Sequence, residues 1–357
     1  LEKRNLSERT IKKFKIGYSY NSNSTLFSYL KSKSFNEKDI IESNVVKIDN
    51  NNKIKDYFYK RLIFPIMDEN SNVKGFGGRS LDNAMPKYIN SPESDFFQKR
   101  YLLYNLSNAK ISARKKNNLL ICEGYMDVIS LYQRGVQSVV SPLGTALTEE
   151  QLNLAWKFST KPTIMFDGDK AGLRAAYKTS LMSLTLITSS KFLQFIILPH
   201  DYDPDSYINT HSFYKFIKIL KKPISLVNFI FSQSSVAFSM QSADDKIMFD
   251  KYLEDLIATI KDKKIKYFYK NEFKTLFFEK IKSRVNKNNF NKVNLRKIDS
   301  SLYDKQLQSF IATYINHPAI RREVKYLLLK SNLLNATYLS LLKEISNPSL
   351  IDKNKNY

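Results

Sequence analysis

The sequence predicts an α/β fold with α+β and all-α flanks: a parallel sheet with helices on both faces, preceded by a basic mixed subdomain and followed by a helical one. Three observations carry this. Between residues 117 and 210, the apolar runs NLLIC, SVVS, PTIMF and FLQFIIL alternate with amphipathic segments of helix length, the pattern of parallel strands joined by helical crossovers. Upstream, RLIFPIMDENSNVKGFGG reads as two strands around a polar turn. Beyond residue 211 the apolar spacing is helical throughout, as in FYKFIKILKK, FDKYLEDLIATIKDK and EFKTLFFEKIKSRV.

Taken in order, residues 1–116 form the basic subdomain. Its short amphipathic helices (SERTIKKFKIG, TLFSYLKSK, NEKDIIESN) lead into the hairpin and then into the Lys/Arg/Tyr-rich stretch PKYINSPESDFFQKRYLLYNL. Phe96 and Phe97 read there as core, although Tyr88, Phe96, Phe97 and Tyr101 also have the chemistry to stack bases. Residues 117–210 form the α/β domain, with Trp156 on a buried helix face and Cys122 inert at the end of a buried strand. Residues 211–297 form a helical subdomain ending in NKNNFNKVNLRK, residues 286–297, whose polar composition reads as a linker. Residues 298–357 contain YDKQLQSFIATYIN and REVKYLLLKSNLL, a further and incomplete helical unit.

The 357 residues carry 57 Lys plus Arg against 34 Asp plus Glu, a formal net charge of +23. Residues 117–210 hold 7 of the basic and 9 of the acidic side chains, leaving 50 against 25 over the other 263. A near-neutral island of clustered acids inside a basic chain points to a metal site within a polyanion-binding surface. At 43% hydrophobic residues the chain is no disordered polycation. The single cysteine excludes an internal disulfide, and with three histidines there is no set of ligands for a structural zinc. No stretch reaches the roughly 18 apolar residues of a membrane helix, and a cytoplasmic setting fits. The start at Leu1, not Met, points to a fragment.

Three acidic clusters each follow a predicted strand: Glu123 and Asp127 after NLLIC, Asp167 and Asp169 after PTIMF, and Asp201, Asp203 and Asp205 after FLQFIIL. In an open parallel sheet the ligand crevice lies beyond the carboxyl ends of the strands, so the clusters converge in space. Two carboxylates ~4 Å apart repel by roughly 4 kcal/mol at an effective dielectric of about 20. Protons or a divalent metal must neutralise such a group, and a set of oxygen ligands points to Mg²⁺ or Mn²⁺. Gly124, Gly168 and Gly172 would let backbone approach a bound ion or phosphate closely.

The segments LLICEGYMDVISLYQRGVQSVVSPLGTALTEEQL, IMFDGDKAGLRAA and LPHDYDPDSYI resemble the Toprim domain of bacterial DnaG-type DNA primases. RLIFPIMDENSNVKGFGGRSLDNAMPKYINSPESDFF resembles the basic subdomain specific to that family. The resemblance runs from about residue 7 to 210 and more loosely to 285. It implies that Glu123, Asp167 and Asp169 are the catalytic metal ligands, with Asp127, Asp203 and Asp205 as supporting acids. It implies template and nucleotide contact by Arg61, Arg79, Lys87 and Lys99, with Tyr88, Asn90 and Ser91 completing a Lys-Tyr-x-Asn-Ser element. Where family members place a second arginine two residues before Arg61, this chain has Tyr59. The family's zinc domain has no counterpart here, which reads as truncation. SSLYDKQLQSFIATYINHPAIRREV is similar to the opening of the family's helicase-binding domain.

The implied activity is synthesis of RNA primers on single-stranded DNA from ribonucleoside triphosphates by a monomer at the replication fork, where the replicative helicase is a partner. Two other readings touch parts of the pattern. Another Toprim enzyme, a topoisomerase or nuclease, shares the acids, but the Lys-Tyr-x-Asn-Ser element argues against it. A non-catalytic single-strand-binding adaptor of the helicase would share the cations and synthesise nothing.

Overall fold

A computed structural model of the chain describes residues 6–20, 25–82, 85–144 and 146–293. Leu1–Phe278 forms one compact unit. Of the second unit, Glu279–Tyr357, only helical backbone as far as Val293 is described. The incomplete helical unit read in residues 298–357 therefore lies outside the described residues.

Ser7 opens α1 (Glu8–Phe14) by accepting from the Thr10 N–H, and Lys15 closes it in the left-handed region at φ 50°. β1 (Gly17–Ser19), α2 (Thr25–Ser32) and α3 (Glu37–Glu42) follow, then a small hairpin of β2 (Val46–Ile48) and β3 (Ile54–Asp56). β4 (Arg61–Met67) and β5 (Val73–Ser80) form the expected antiparallel pair. Asp68 organises their turn by accepting from the Asn70 and Asn72 N–H groups, an Asx turn that fixes the reversal. β6 (Tyr88–Asn90) completes a four-stranded sheet in the order β1-β4-β5-β6.

α4 (Leu106–Lys116) leads into the α/β region. There β7 (Leu120–Ile121), α5 (Tyr125–Gln133), β8 (Val139–Val140), α6 (Glu149–Trp156), β9 (Thr163–Ile164), α7 (Lys170–Ser183) and β10 (Gln194–Phe195) alternate as expected. Strands β7 to β10 are parallel, in the sheet order β11-β10-β9-β7-β8. The edge strand β11 (Ile224–Ser225) pairs antiparallel with β10. It interrupts a region whose spacing reads as helical throughout, because two residues are too few to show a period. α8 (Pro204–His211) and α9 (Phe213–Leu220) precede it; α10 (Leu226–Ser234), α11 (Ala243–Ala258) and α12 (Lys263–Val293) follow. The stretch read as a linker from residue 286 is helical as far as Val293. NKNNFNKV contains neither Gly nor Pro, so its polarity alone does not end the helix.

One core joins the basic and acidic regions. Phe64 and Ile66 of β4 are fully buried in the same cluster as Tyr104, Tyr125, Val128, Ile129 and Leu131. Helix α5 is therefore covered by both sheets' side chains, and each such fully buried aliphatic contributes about 1.5–3 kcal/mol before entropy is subtracted. Trp156 lies in the interior, its indole N–H donating to the Phe192 carbonyl at 2.7 Å. Cys122 is buried, which holds its thiol well above the usual range. The expectation for Phe96 and Phe97 divides: Phe97 is 2% exposed and Phe96 76%. Only the first faces β5, where its ring lies against Gly75.

Candidate active site

Strand β7 leads to β8 on one side, whereas β9 leads to β10 on the other. Right-handed crossovers running in opposite directions send α5 and α7 to opposite faces and open a crevice between the carboxyl ends of β7 and β9. Glu123 follows β7 and Asp167 follows β9, and the Asp167 N–H donates to Glu123 Oε2 at 3.4 Å. The crevice is a cavity of about 560 Å³ lined by Glu123, Asp127, Asp167 and Asp203. Asp169 and Asp203 serve as N-caps of α7 and α8, accepting from Gly172 N–H at 2.7 Å and Ser206 N–H at 2.6 Å. Asp127, in the first turn of α5, accepts from the Gly124 N–H at 3.2 Å. Three helix N-termini thus face the acids, and their partial positive charge offsets some of the repulsion.

That repulsion is still visible. Burial, then the charges of Glu123, Asp203 and Asp169, push Asp167 up to about 7. Burial, then Asp167 and Asp203, hold Asp127 well above the usual carboxylate range. Glu123 rises for the same first reason, with Asp169 adding to it. Asp167 Oδ1 is buried and accepts no hydrogen bond, on a residue that lines the acidic cavity. A divalent cation fits this set: hard oxygen donors, surplus negative charge and an orphaned acceptor. Among the described residues no three carboxylates are already closed around one point as a finished cage.

The cations come from the antiparallel sheet. Arg79 and Tyr88 are directly opposed on β5 and β6, which puts their side chains on one face. The guanidinium stands 5.4 Å from the ring centroid. Both, with Lys87, line the same cavity as the acids. Asn90 lines it too, but its amide joins the two regions: Oδ1 accepts from the Tyr125 hydroxyl at 2.6 Å and Nδ2 donates to the Leu143 carbonyl at 2.9 Å. Ser91 is buried and pairs with Phe76 across the sheet.

Four sequence-predicted residues lie off the cavity lining, the first being Asp169, whose carboxylate caps α7 beside it. Arg61, read as groove wall, is 8% exposed and donates to the Pro86 and Lys87 carbonyls. It shapes the approach to Lys87 from within, because a guanidinium at the start of β4 meets the carbonyls ahead of β6. Lys99 lies outside the cavity, paired with Glu93 at 3.8 Å. Asp205 is turned away from the crevice and pairs with Ser130 and Arg134. Asp203 is the extended N-cap of α8, its carboxylate turned to the Ser206 N–H, whereas Asp205 lies inside the first turn, so the two side chains leave the backbone in different directions. The glycines also serve the fold more than a ligand: a Cβ on Gly168 would stand 2.2 Å from the Pro199 carbonyl oxygen, and one on Gly172 2.3 Å from that of Asp167.

Sequence reading missed Gly77 and Tyr125. A Cβ on Gly77 would lie 2.5 Å from the buried Tyr125 ring, so the absent side chain is what lets the two regions dock. Three glycines within eight residues of a strand were the available signal, since glycine in a strand marks a close approach.

Residues 1–110 match the family described as DNA primase catalytic core, N-terminal domain, and residues 120–208 match Toprim-like domains. The chain is 32% identical to a DNA primase of Rickettsia bellii over 350 residues, covering 97% of this chain and 58% of that protein. A DNA primase of Rickettsia felis is 34% identical, with 90% and 55% covered. The chain thus spans a little over half the length of these curated relatives. Among solved structures, the E. coli primase catalytic core matches with a TM-score of 0.71 at 30% identity, over 76% of this chain and 87% of that one. A DnaG primase catalytic domain bound to ssDNA matches with a TM-score of 0.70 at 30% identity, over 77% and 89%. Acids on the parallel sheet, cations on the antiparallel one and a 30% identical core of the same fold lead to one conclusion: the chain belongs to the DnaG-type DNA primase family.

Proposed function

We propose that this protein synthesises RNA primers on single-stranded DNA by nucleotidyl transfer from ribonucleoside triphosphates, in the crevice between β7 and β9. The observation that carries this is one cavity lined on one side by Glu123, Asp127, Asp167 and Asp203 and on the other by Arg79 and Lys87. A 3′-hydroxyl attacks an α-phosphate and pyrophosphate leaves. Bound Mg²⁺ or Mn²⁺ supplies charge stabilisation for both the attacking and the leaving oxygen. Glu123, Asp167, Asp169 and Asp203 would hold the ions, with Asp127 steadying the first turn of α5 behind them. Arg79 and Lys87 meet triphosphate or template phosphates, and the Tyr88 face offers a base a stacking surface beside the guanidinium. No side chain is needed as nucleophile.

In this reading residues 1–116 supply the cationic wall and residues 117–210 the acids. Helix α10 of the helical region packs against α7 and β10. Docking of the replicative helicase on residues 298–357, a monomeric state and a cytoplasmic setting rest on the sequence resemblance. No helix among the described residues is long and apolar enough to cross a membrane. The test is to incubate the protein with single-stranded template, ribonucleotides and Mg²⁺ or Mn²⁺. Template-dependent oligoribonucleotides are expected. Relaxed or nicked plasmid in their place would overturn the reading in favour of another Toprim activity, and binding without synthesis would favour an adaptor.

A further inference from the structure

The face of α5 toward α8 carries Asp127, Ser130 and Arg134 at helical spacing. At the crevice end it meets like charges: burial first, then Asp167 and Asp203, raise Asp127 above the usual carboxylate range. One turn further on the contacts become attractive. The Ser130 hydroxyl donates to Asp205 Oδ1 at 2.5 Å. Arg134 Nη1 reaches the same oxygen at 3.2 Å and also meets the Ser130 hydroxyl, while Nη2 donates to Asn209 Oδ1 at 2.9 Å. Ser130 is 3% and Asp205 6% exposed while the Arg134 side chain is 20% exposed, so the Arg134–Asp205 pair is largely buried and only partly screened, and the Asn209 contact lies at the surface.

The tie sits where it governs the crevice. Asp205 belongs to the first turn of α8, and Asp203 caps that turn through the Ser206 N–H. Asp203 therefore moves with Asp205. We infer that Arg134 is a positioning residue for the divalent-ion site: by pairing Asp205 it holds the first turn of α8 against α5 and sets the distance of Asp203 from Asp127 and Asp167 against their mutual repulsion. This rests on the proposed role of those acids in holding divalent ions. Arg134 touches neither ion nor substrate.

The sign of the effect separates this role from a simple charge. Removing a cation near an acidic crevice strengthens divalent-ion binding if Arg134 acts through space, and weakens it if Arg134 acts through the position of α8. The experiment titrates Mn²⁺ against the full chain by electron paramagnetic resonance of the free ion. It compares the wild type with Arg134→Ala, Arg134→Lys and the double variant Arg134→Ala/Asp205→Asn, each first checked by circular dichroism and melting. Arg134→Ala is expected to bind Mn²⁺ about tenfold more weakly, the lower end of what loss of a supporting partner costs a metal site. Arg134→Lys, too short to serve Asp205 and Asn209 together, is expected to fall between. The double variant, with residue 205 neutral and an amide oxygen still accepting from the Ser130 hydroxyl, is expected to recover. Unchanged or tighter binding in Arg134→Ala, or in Arg134→Lys should the alanine variant fail to fold, would overturn the inference while leaving the proposed function standing. A wild type that binds no Mn²⁺ would overturn both.

Discussion

The two sheets present chemistry in different ways. In the parallel sheet each strand pairs over only two residues, and its clustered acids sit just past the strand ends, on the caps and first turns of α5, α7 and α8. In the antiparallel sheet β4 and β5 run for 7 and 8 residues, and Arg79 is displayed on the strand itself, opposite Tyr88. Parallel strands leave by helices, so their carboxyl ends open a crevice. Antiparallel strands leave by tight turns, so only their faces are free. The lesson is one of mechanics: the acids depend on helix caps and loop positions, whereas the cations depend on strand register. The two sets should respond differently to perturbation.

The largest break falls on the acids. Asp167→Asn should lower oligoribonucleotide synthesis by more than about 100-fold, measured by primer extension from labelled ribonucleotides, with single-strand affinity retained. Synthesis near wild-type level would remove Asp167 from the ion site. Next comes the joint between the sheets. Gly77→Ala pushes a methyl against the Tyr125 ring and should cost about 1–3 kcal/mol, read as a lower denaturation midpoint together with weaker synthesis. An unshifted midpoint would mean that the ring is free to yield.

On the cationic wall, Arg79→Ala and Lys87→Ala should each weaken single-strand binding and reduce the slope of log affinity against log salt by about 1. The melting temperature should hold, because both side chains line an open cavity. A change in melting without a change in salt slope would make them structural.

The smallest effect is a pH dependence confined to the acidic side. Asp167 is held at about 7 by burial and by Glu123, Asp203 and Asp169, above its ordinary value, so the fold binds its proton more tightly than the unfolded chain does. Its contribution to stability is therefore complete below the unfolded value and is lost as pH rises through about 7. In a chelator, melting temperature should fall between about pH 4 and about pH 7, and Asp167→Asn should flatten that fall. A profile unaffected by the substitution would assign the titration elsewhere.

The alternation of short apolar runs with amphipathic segments made the parallel sheet legible, and acids after each run made the crevice legible. Arg79, Lys87 and Tyr88 came from the family resemblance, not from spacing, and so did Lys99, which lies outside the cavity. Asp205 and Arg61 carried the same signals as their neighbours and yet point inward. Which side of α8 faces the crevice depends on where its cap falls, and a cap shifted by two residues reverses the assignment. Which guanidinium is buried depends on a carbonyl supplied 25 residues later.

By itself the sequence determined the order of the elements, the segregation of charge and the residue types at the strand ends, because these follow from local periodicity and composition. Only the tertiary structure decided that Asn90 and Tyr125 lock the sheets together, that Asp167 keeps an unpaired oxygen, and that Arg134 answers Asp205. Each of those depends on groups from distant parts of the chain meeting at bonding distance, and side-chain direction in three dimensions is set by packing, which no local pattern encodes.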